Sequence, residues 1–262
     1  MELTVNGKRA YAATGGRDFG PGQPTIVFVH GAGLDHSTWA LQSRYFAHHG
    51  WGVLALDLPG HGRSEGPPLA TIAELSAWLL CFLDAAEVAS ATLVGHSLGS
   101  LTALETAART PDRVAALVVV GISLPMTVNP DLLAAAKAND HLASDLIVTW
   151  GHGRAAHVGG HRTPGLWMMG DGLRLLERAG NGVLYNDLAA CNDYRGGDEA
   201  AAGVRCPTLL VLGDGDIMTP PRCAQGLAAA IAGSRTVMIE DCGHMLMVER
   251  PDELLDALRE FL

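Results

Sequence analysis

Lysine is almost absent from this sequence of 262 residues, which contains only Lys8 and Lys137 and carries a formal net charge of −10. Binding to nucleic acid needs a basic surface that meets the phosphates, and the sequence has no cluster of lysine and arginine that could form one. The composition therefore argues against a nucleic-acid partner.

Export and membrane-spanning signals are also missing from the sequence. The first eight residues have no basic stretch followed by an apolar one, and no later apolar run is long enough to span a bilayer. The five cysteines are odd in number and form no Cys-x-x-Cys pair, which favours reduced, mostly buried thiols. We therefore expect a soluble cytoplasmic protein with no membrane partner.

Short β-branched runs alternate with longer helical patterns along most of the chain. Residues 25–29 and 53–56 are continuous apolar runs, which indicates strands that are buried on both faces. Near the start, Asn6-Gly7 predicts a hairpin turn. The alternation predicts an α/β fold, with a mostly parallel, doubly wound sheet flanked by helices.

One interval, between Gly121 and Pro207, interrupts this alternation. It is far longer than an ordinary βα connection, and it contains helical patterns but no convincing strand. We interpret it as a helical lid inserted after the sixth strand, over the edge of the sheet where open α/β sheets bind ligands. The predicted organisation is a core of residues 1–124 and 206–262 with a lid of residues 125–205. The alternative is an accessory subdomain that only packs on the sheet.

The most informative motif is Gly95-His96-Ser97-Leu98-Gly99, which follows a strand pattern and precedes a helical one. A serine at a sharp strand-to-helix turn projects its hydroxyl from strained backbone, and the glycines beside it avoid collisions. The pattern alone could arise by chance in a chain that holds 32 glycines. Its interpretation as a nucleophile therefore depends on other motifs.

Three further motifs accompany this one along the chain. They are His30-Gly31-Ala32-Gly33, Asp57-Leu58-Pro59-Gly60-His61-Gly62-Arg63-Ser64 and Gly243-His244. On these four motifs, the chain from about Pro24 to its end resembles the α/β-hydrolase fold superfamily, in particular its lidded, esterase- and lactonase-like serine hydrolases. The resemblance implies a triad of serine, acid and histidine in that chain order.

Residues for each role of such a triad are present. Ser97 would attack a carbonyl carbon and His244 would take its proton, because an imidazole titrates near neutral pH. Two carboxylates follow a late strand pattern, and the family places the acid four residues before a proline, which favours Asp216 over Asp214. Asp241 is a third candidate, for which a turn-forming role suffices.

The resemblance also implies oxyanion donors, which are the backbone N–H groups of Ala32 and Leu98. The N–H of Leu98 gains from its position at a helix amino end. The predicted wall of the substrate pocket comes from the lid and from loops near the motifs, and it consists of Leu34, Trp150, Trp167, Met168 and Met245. The two tryptophans and Met168 suit the lid's own core equally well.

Serine at position 97 points to acyl transfer to water, because dehalogenation and epoxide opening use a carboxylate nucleophile. We therefore expect a hydrolase that cleaves a carboxylic ester or lactone of a small, largely apolar substrate through an acyl-enzyme intermediate. Two alternatives stay open: hydrolysis of a carbon–carbon bond in a vinylogous diketone, and ligand binding without catalysis. Arg154 or Arg162 in the lid could clamp a substrate carboxylate, or could be solvated surface.

A metal site is weighed because His152, His157 and His161 lie close together in the sequence. Their spacing fits no tight ligand motif, and neighbouring cysteines and carboxylates are lacking. The sequence also lacks a phosphate-binding glycine loop with its lysine. We therefore expect no metal and no cofactor, a small-molecule substrate as the partner, and a monomer or homodimer.

Overall fold

A computed structural model describes residues 1–20, 22–160 and 165–262 of the chain. The strands are β1 (Glu2–Val5), β2 (Lys8–Ala13), β3 (Thr25–Val29), β4 (Gly52–Asp57), β5 (Ala91–His96), β6 (Val114–Val120), β7 (Thr208–Gly213) and β8 (Arg235–Ile239). They form one sheet in the order β1-β2-β4-β3-β5-β6-β7-β8. The pairs β1–β2 and β2–β4 are antiparallel and the other pairs are parallel. The predicted α/β fold with a mostly parallel sheet is confirmed.

The described α-helices lie on both faces of this sheet and at one of its edges. They are α1 (Ala40–His48), α2 (Ile72–Ala85), α3 (Leu98–Arg109), α4 (Pro130–Lys137), α5 (Leu142–Gly151), α6 (Arg154–His157), α7 (Met168–Glu177), α8 (Val183–Asp193), α9 (Gly197–Gly203), α10 (Gln225–Ala230), α11 (Leu246–Glu249) and α12 (Pro251–Phe261). Among the described residues, no helix has both the length and the apolar character needed to cross a membrane.

Burial on both faces explains why the strand patterns are continuous apolar runs. Every residue of β3, β4, β5 and β7 is buried. Val27 belongs to a core that includes residues of α2 and α3, whereas its neighbour Phe28 belongs to the core that includes residues of α1 and α12. Successive side chains of a strand point to opposite faces, so a sheet covered by helices on both sides needs apolar residues at every position.

The carboxyl ends of the parallel strands meet at one edge of the sheet, and the motif-bearing loops begin there. Strand β3 ends at Val29, immediately before His30, and β5 ends at His96, immediately before Ser97. Strand β7 ends at Gly213, where the acidic loop starts. The topology therefore gathers motifs that are far apart in the sequence at the edge where open α/β sheets place their ligands.

The predicted helical insertion after the sixth strand is present between β6 and β7 and comprises α4 to α9. Helices α8 and α9 contact α3, the helix that follows Ser97, and α4 contacts both α5 and α8. The insertion therefore rests on the core next to the serine turn.

Candidate active site

Ser97 occupies the turn between β5 and α3 in a backbone conformation that side chains rarely adopt. Its φ is 53° and its ψ is −115°, and its N–H donates to the carbonyl oxygen of Val120 at 3.0 Å. A non-glycine residue with positive φ is strained, and such strain persists only when the surrounding structure holds it. The partly exposed side chain of Ser97 lines a cavity at the carboxyl edge of the sheet.

The glycines beside Ser97 are required by close approaches of backbone. A Cβ atom on Gly95 would collide with the carbonyl oxygen of Gly99, and one on Gly99 would collide with the carbonyl oxygen of Val29. Neither neighbour is the flexible end of a side chain, so a larger residue at position 95 or 99 would have to move the turn itself. The close packing of β5, α3 and β3 thus depends on both glycines.

His244 and Asp216 form a buried pair at the same edge of the sheet. Nδ1 of His244 lies 2.8 Å from Oδ2 of Asp216. An ionised carboxylate can only accept, so Nδ1 carries the proton and donates it, which leaves Nε2 free to act as a base. Oδ1 of Asp216 accepts from the N–H groups of Met218 and Thr219, and the hydroxyl of Thr219 donates to Oδ2 at 2.6 Å.

These contacts keep Asp216 ionised. Burial by itself raises the pKa of Asp216, but the charge of His244 and the hydrogen bonds from His244 and Thr219 outweigh it and lower the pKa from 3.8 to about 2. By contrast, Asp214 is exposed and its Oδ1 accepts from the N–H of Cys242 at 3.2 Å, while Asp241 lies exposed in a turn with φ 50°. Of the three carboxylates considered from the sequence, the structure places Asp216 against the imidazole.

The loop His30–Gly33 lies directly against the serine turn. A Cβ atom on Gly31 would be 2.7 Å from Nδ1 of His96 and 3.3 Å from Cβ of Ser97. Ala32 lines the same cavity as Ser97, and the N–H of Leu98 belongs to the first residue of α3. The two predicted oxyanion donors therefore lie in segments that flank Ser97 from two sides.

Two buried histidines near the site stay neutral and have structural contacts. Burial and the charge of His244 lower the pKa of His96 to about 3, and burial and His61 lower the pKa of His30 to about 4. Nε2 of His96 donates to the carbonyl oxygen of His244 at 2.9 Å, and Nε2 of His30 accepts from the N–H of Leu58 at 3.1 Å. His96 thus supports the backbone at His244.

A cavity of about 320 Å³ joins these groups, and both Ser97 and His244 line it. Leu34, Trp150 and Met245 of the predicted wall line it as well. Wall residues that the sequence does not single out come from four helices of the insertion, and they include Leu132, Ile147, Leu176 and Leu188. Each helix contributes one to three residues, and helical periodicity alone does not reveal which positions of an apolar face line a cavity.

The structure corrects the prediction for two pocket residues. Trp167 is 66% exposed and covers Gly170, and Met168 lines a neighbouring cavity of about 630 Å³ instead. The reason is that both residues lie at the start of α7, whose face toward the first cavity carries Gly172 and Leu176.

The residues of the insertion that the sequence offers as a carboxylate clamp or a metal site have separate surroundings where the structure describes them. Arg154 is exposed and is not among the residues that line the cavity, and Arg162 and His161 lie outside the described residues. His152 lines the cavity with its Nδ1 donating to the carbonyl oxygen of Val148 at 2.9 Å, and Nε2 of His157 donates to the carbonyl oxygen of His152 at 3.2 Å. These contacts are those of histidines that satisfy backbone carbonyls.

Among the described residues, Asp35, His36 and Asp57 bring possible metal-ligand atoms within 4.8 Å of one another. Oδ1 of Asp57 accepts from the N–H and from Nδ1 of His36, and Oδ2 accepts from the N–H of Arg63. Oδ1 of Asp35 accepts from the N–H of Ser37 at 2.8 Å, so each carboxylate of the group has hydrogen-bond donors within the protein.

The loop of His244 is supported by a buried carboxylate, that of Glu249, which sequence reasoning does not identify. Oε1 of Glu249 accepts from the N–H groups of Gly243 and Met245, and Oε2 accepts from the N–H of Gly153 at 2.7 Å. Since Gly153 lies in the insertion, this side chain joins the insertion to the loop of His244. In the sequence, Glu249 lies two residues before Pro251, at the start of a predicted helix. Acidic residues are common near helix starts, so this position does not distinguish Glu249 from an ordinary surface residue.

Comparison with known proteins gives one consistent result. A model of the alpha/beta hydrolase family matches residues 26–257. The chain is 32% identical over 250 residues to a pimeloyl-[acyl-carrier protein] methyl ester esterase of Aromatoleum aromaticum, covering 88% of this chain and 95% of that protein.

Solved structures are similar over the whole chain. The enol-lactonase of Burkholderia xenovorans LB400 has a TM-score of 0.85 at 24% identity and covers 100% of this chain and 99% of its own, which shows the shared fold. Est816, described as an N-acyl homoserine lactone degrading enzyme, has a TM-score of 0.84 at 25% identity and covers 100% of both chains.

The low pKa of Asp216 predicts a specific dependence of stability on pH. Because the folded pKa of about 2 lies below the ordinary 3.8, the ionised group stabilises the folded state by about 2 kcal/mol above pH 3.8, and this contribution is lost as the pH falls through 2. We expect the difference in free energy of unfolding between wild type and Asp216→Asn to shrink by about 1 kcal/mol from pH 5 to pH 3, measured by urea denaturation.

Asp214→Asn is the matched control, since it removes an exposed carboxylate from the same loop. Its difference from wild type should change less over this pH range. A difference that stays constant for Asp216→Asn would contradict the assignment of a buried, ionised Asp216.

Proposed function

This chain belongs to the alpha/beta hydrolase family, and from that premise we propose that it is a serine hydrolase that cleaves a small, uncharged carboxylic ester or lactone. The observation that carries the proposal is the pair of His244 and Asp216, joined at 2.8 Å, in which His244 lines the same cavity as the strained Ser97. A hydroxyl on a sharp turn, a neutral imidazole and a buried carboxylate are the groups that nucleophilic acyl transfer requires.

In the proposed mechanism the hydroxyl oxygen of Ser97 attacks the carbonyl carbon while Nε2 of His244 takes the hydroxyl proton. Asp216 holds the imidazole in the correct tautomer and stabilises the imidazolium that forms. The N–H groups of Ala32 and Leu98 donate to the oxyanion. His244 then gives its proton to the leaving alkoxide, and a water molecule, deprotonated by the same imidazole, releases the acid and regenerates Ser97.

The wall of the cavity supports an uncharged and largely apolar substrate. Its described lining residues include no lysine or arginine, and most of them are apolar, with Trp150 as an aromatic member. A substrate carboxylate would lose its water there without gaining a cation, which is costly. This favours an ester or lactone over a diketone substrate that carries a carboxylate, for which Arg154 is outside the cavity wall.

The relatives support the same class of bond. One is called a methyl ester esterase and another a lactone degrading enzyme, so both act on an acyl–oxygen bond. A volume of about 320 Å³ accommodates an acyl group of a few carbons together with a small alcohol part.

The role of Ser97 is tested directly by Ser97→Ala. We expect kcat/KM for p-nitrophenyl butyrate to fall by about a thousandfold or more, because the nucleophile is lost, and we expect labelling by a fluorophosphonate probe to disappear. Ser90→Ala, an exposed serine outside the cavity, should keep both activity and labelling. Turnover by Ser97→Ala equal to that of wild type would refute the proposed mechanism.

Substrate charge provides an independent test of the cavity. We expect kcat/KM for the p-nitrophenyl ester of butyric acid to exceed that for the mono-p-nitrophenyl ester of succinic acid by about tenfold or more, because the second ester buries a carboxylate. Both esters have four carbons in the acyl group, so their comparison isolates the charge. Equal values, or a preference for the succinate, would show that a cation reaches the bound acyl group.

A further inference from the structure

Asp187 is a carboxylate of the helical insertion that lies in the core beside the loop His30–Gly33. It belongs to α8 and is 2% exposed. Its Oδ2 accepts from the N–H of Gly33 at 2.9 Å and from Nε2 of His61 at 2.8 Å. One oxygen atom therefore joins the insertion to the loop after β3 and to the loop after β4.

His61 is buried with an acceptor at each ring nitrogen. Nε2 faces Asp187, and Nδ1 faces the carbonyl oxygen of Pro59 at 3.1 Å. Since both partners accept, a ring nitrogen donates to either of them only when it carries a proton, and this arrangement favours the imidazolium. Burial alone lowers the pKa of His61, but the charge and hydrogen bond of Asp187 outweigh burial and raise it. Asp187 and His61 thus form a buried ion pair.

The peptide groups on both sides of Ala32 are held by side chains. The carbonyl oxygen of Gly31 accepts from Nδ1 of His30 at 2.8 Å, and the N–H of Gly33 is held by Asp187. The carbonyl and N–H of a trans peptide point in opposite directions, so fixing the carbonyl of Gly31 also fixes the direction of the N–H of Ala32. The backbone on the far side of Ala32 depends on Asp187.

We propose that Asp187, paired with His61, is a positioning residue that holds the N–H of Ala32 in place for the oxyanion by fixing the next peptide, that of Gly33. The inference rests on the proposed serine hydrolase function. It gives the insertion a second role besides forming the cavity wall, because a residue of α8 sets the geometry of a donor that acts in the transition state. An ionised acceptor suits this role, since charge-assisted hydrogen bonds are shorter and stronger than neutral ones.

The alternative explanation for the pair is that it only attaches α8 to the core. In that case its loss would reduce stability and leave the chemistry of each folded molecule unchanged. The two explanations differ in kcat, because an oxyanion donor contributes mainly in the transition state and little to binding of the substrate.

Asp187→Asn is the decisive variant because it keeps the shape of the side chain and removes its charge. We expect kcat for p-nitrophenyl butyrate to fall about tenfold or more with KM changed by less than about threefold. Rates are expressed per active site titrated with a fluorophosphonate, so that misfolded molecules do not count. A kcat per active site within about twofold of wild type would overturn the proposal.

Glu105→Gln is the matched control. Glu105 is also buried and also joins the insertion to the core, since it accepts from the hydroxyl of Tyr194 at 2.6 Å. Its partners, Tyr194 and Arg109, lie outside the loop His30–Gly33 that Asp187 contacts. Both variants should lower Tm, and only Asp187→Asn should lower kcat per active site. If Glu105→Gln lowers kcat equally, attachment of the insertion in general explains the effect and the proposal fails.

His61→Asn provides a second route to the same answer. It leaves the carboxylate of Asp187 buried without its cation, so kcat per active site should fall here as well, and this result decides the question if Asp187→Asn does not fold.

The outcomes also separate the two proposals. Activity that survives in Ser97→Ala removes the proposed function, whereas an inactive Ser97→Ala together with a normal kcat in Asp187→Asn and His61→Asn removes only the positioning role.

Discussion

A carboxylate that is removed from water must be surrounded by hydrogen-bond donors, because an unpaired buried charge costs several kcal/mol. Four buried carboxylates at the carboxyl edge of the sheet meet this requirement with backbone N–H groups of loops. They are Asp57, which accepts from His36 and Arg63; Asp187, which accepts from Gly33; Asp216, which accepts from Met218 and Thr219; and Glu249, which accepts from Gly153, Gly243 and Met245. The need to satisfy these charges therefore also determines the conformations of the loops around the cavity.

The same contacts make the helical insertion part of the site. Its residue Gly151 accepts from the N–H groups of His244 and Met245, and its residue Gly153 donates to Glu249. The loop of His244 is therefore bonded to the insertion at several atoms, and Asp187 bonds the insertion to the loop of Ala32. A displacement of the insertion would disturb the cavity wall and both of these loops together, so the shape of the cavity and the geometry of the chemistry are coupled.

The features that could be predicted from the sequence are those in which backbone geometry restricts the residue type. Gly95 and Gly99 stand where any Cβ would collide with a carbonyl oxygen, and Asn6-Gly7, with φ values of 50° and 76°, forms the predicted hairpin turn between β1 and β2. The pairing of Asp187 with His61 carries no such mark, because it joins residues 126 positions apart and each fits an ordinary helix or loop. Trp167 shows the same limit for the cavity. A tryptophan in the insertion suits a pocket wall, but its position at the start of α7 places this one at the surface.

Burial limits which histidines near His244 can carry a positive charge. In the proposed mechanism His244 becomes an imidazolium, and a second cation beside it would oppose that step by Coulomb repulsion, which is strong where water is excluded. Its neighbour His96, with ring centroids 4.7 Å apart, stays neutral because burial and the charge of His244 lower its pKa to about 3. His61 faces the carboxylate of Asp187 instead, which raises the pKa of His61. His96 and His61 thus differ in their tendency to carry a charge because they have different partners. His96, beside His244, pairs with a carbonyl oxygen, which stabilises a cation less than a carboxylate would.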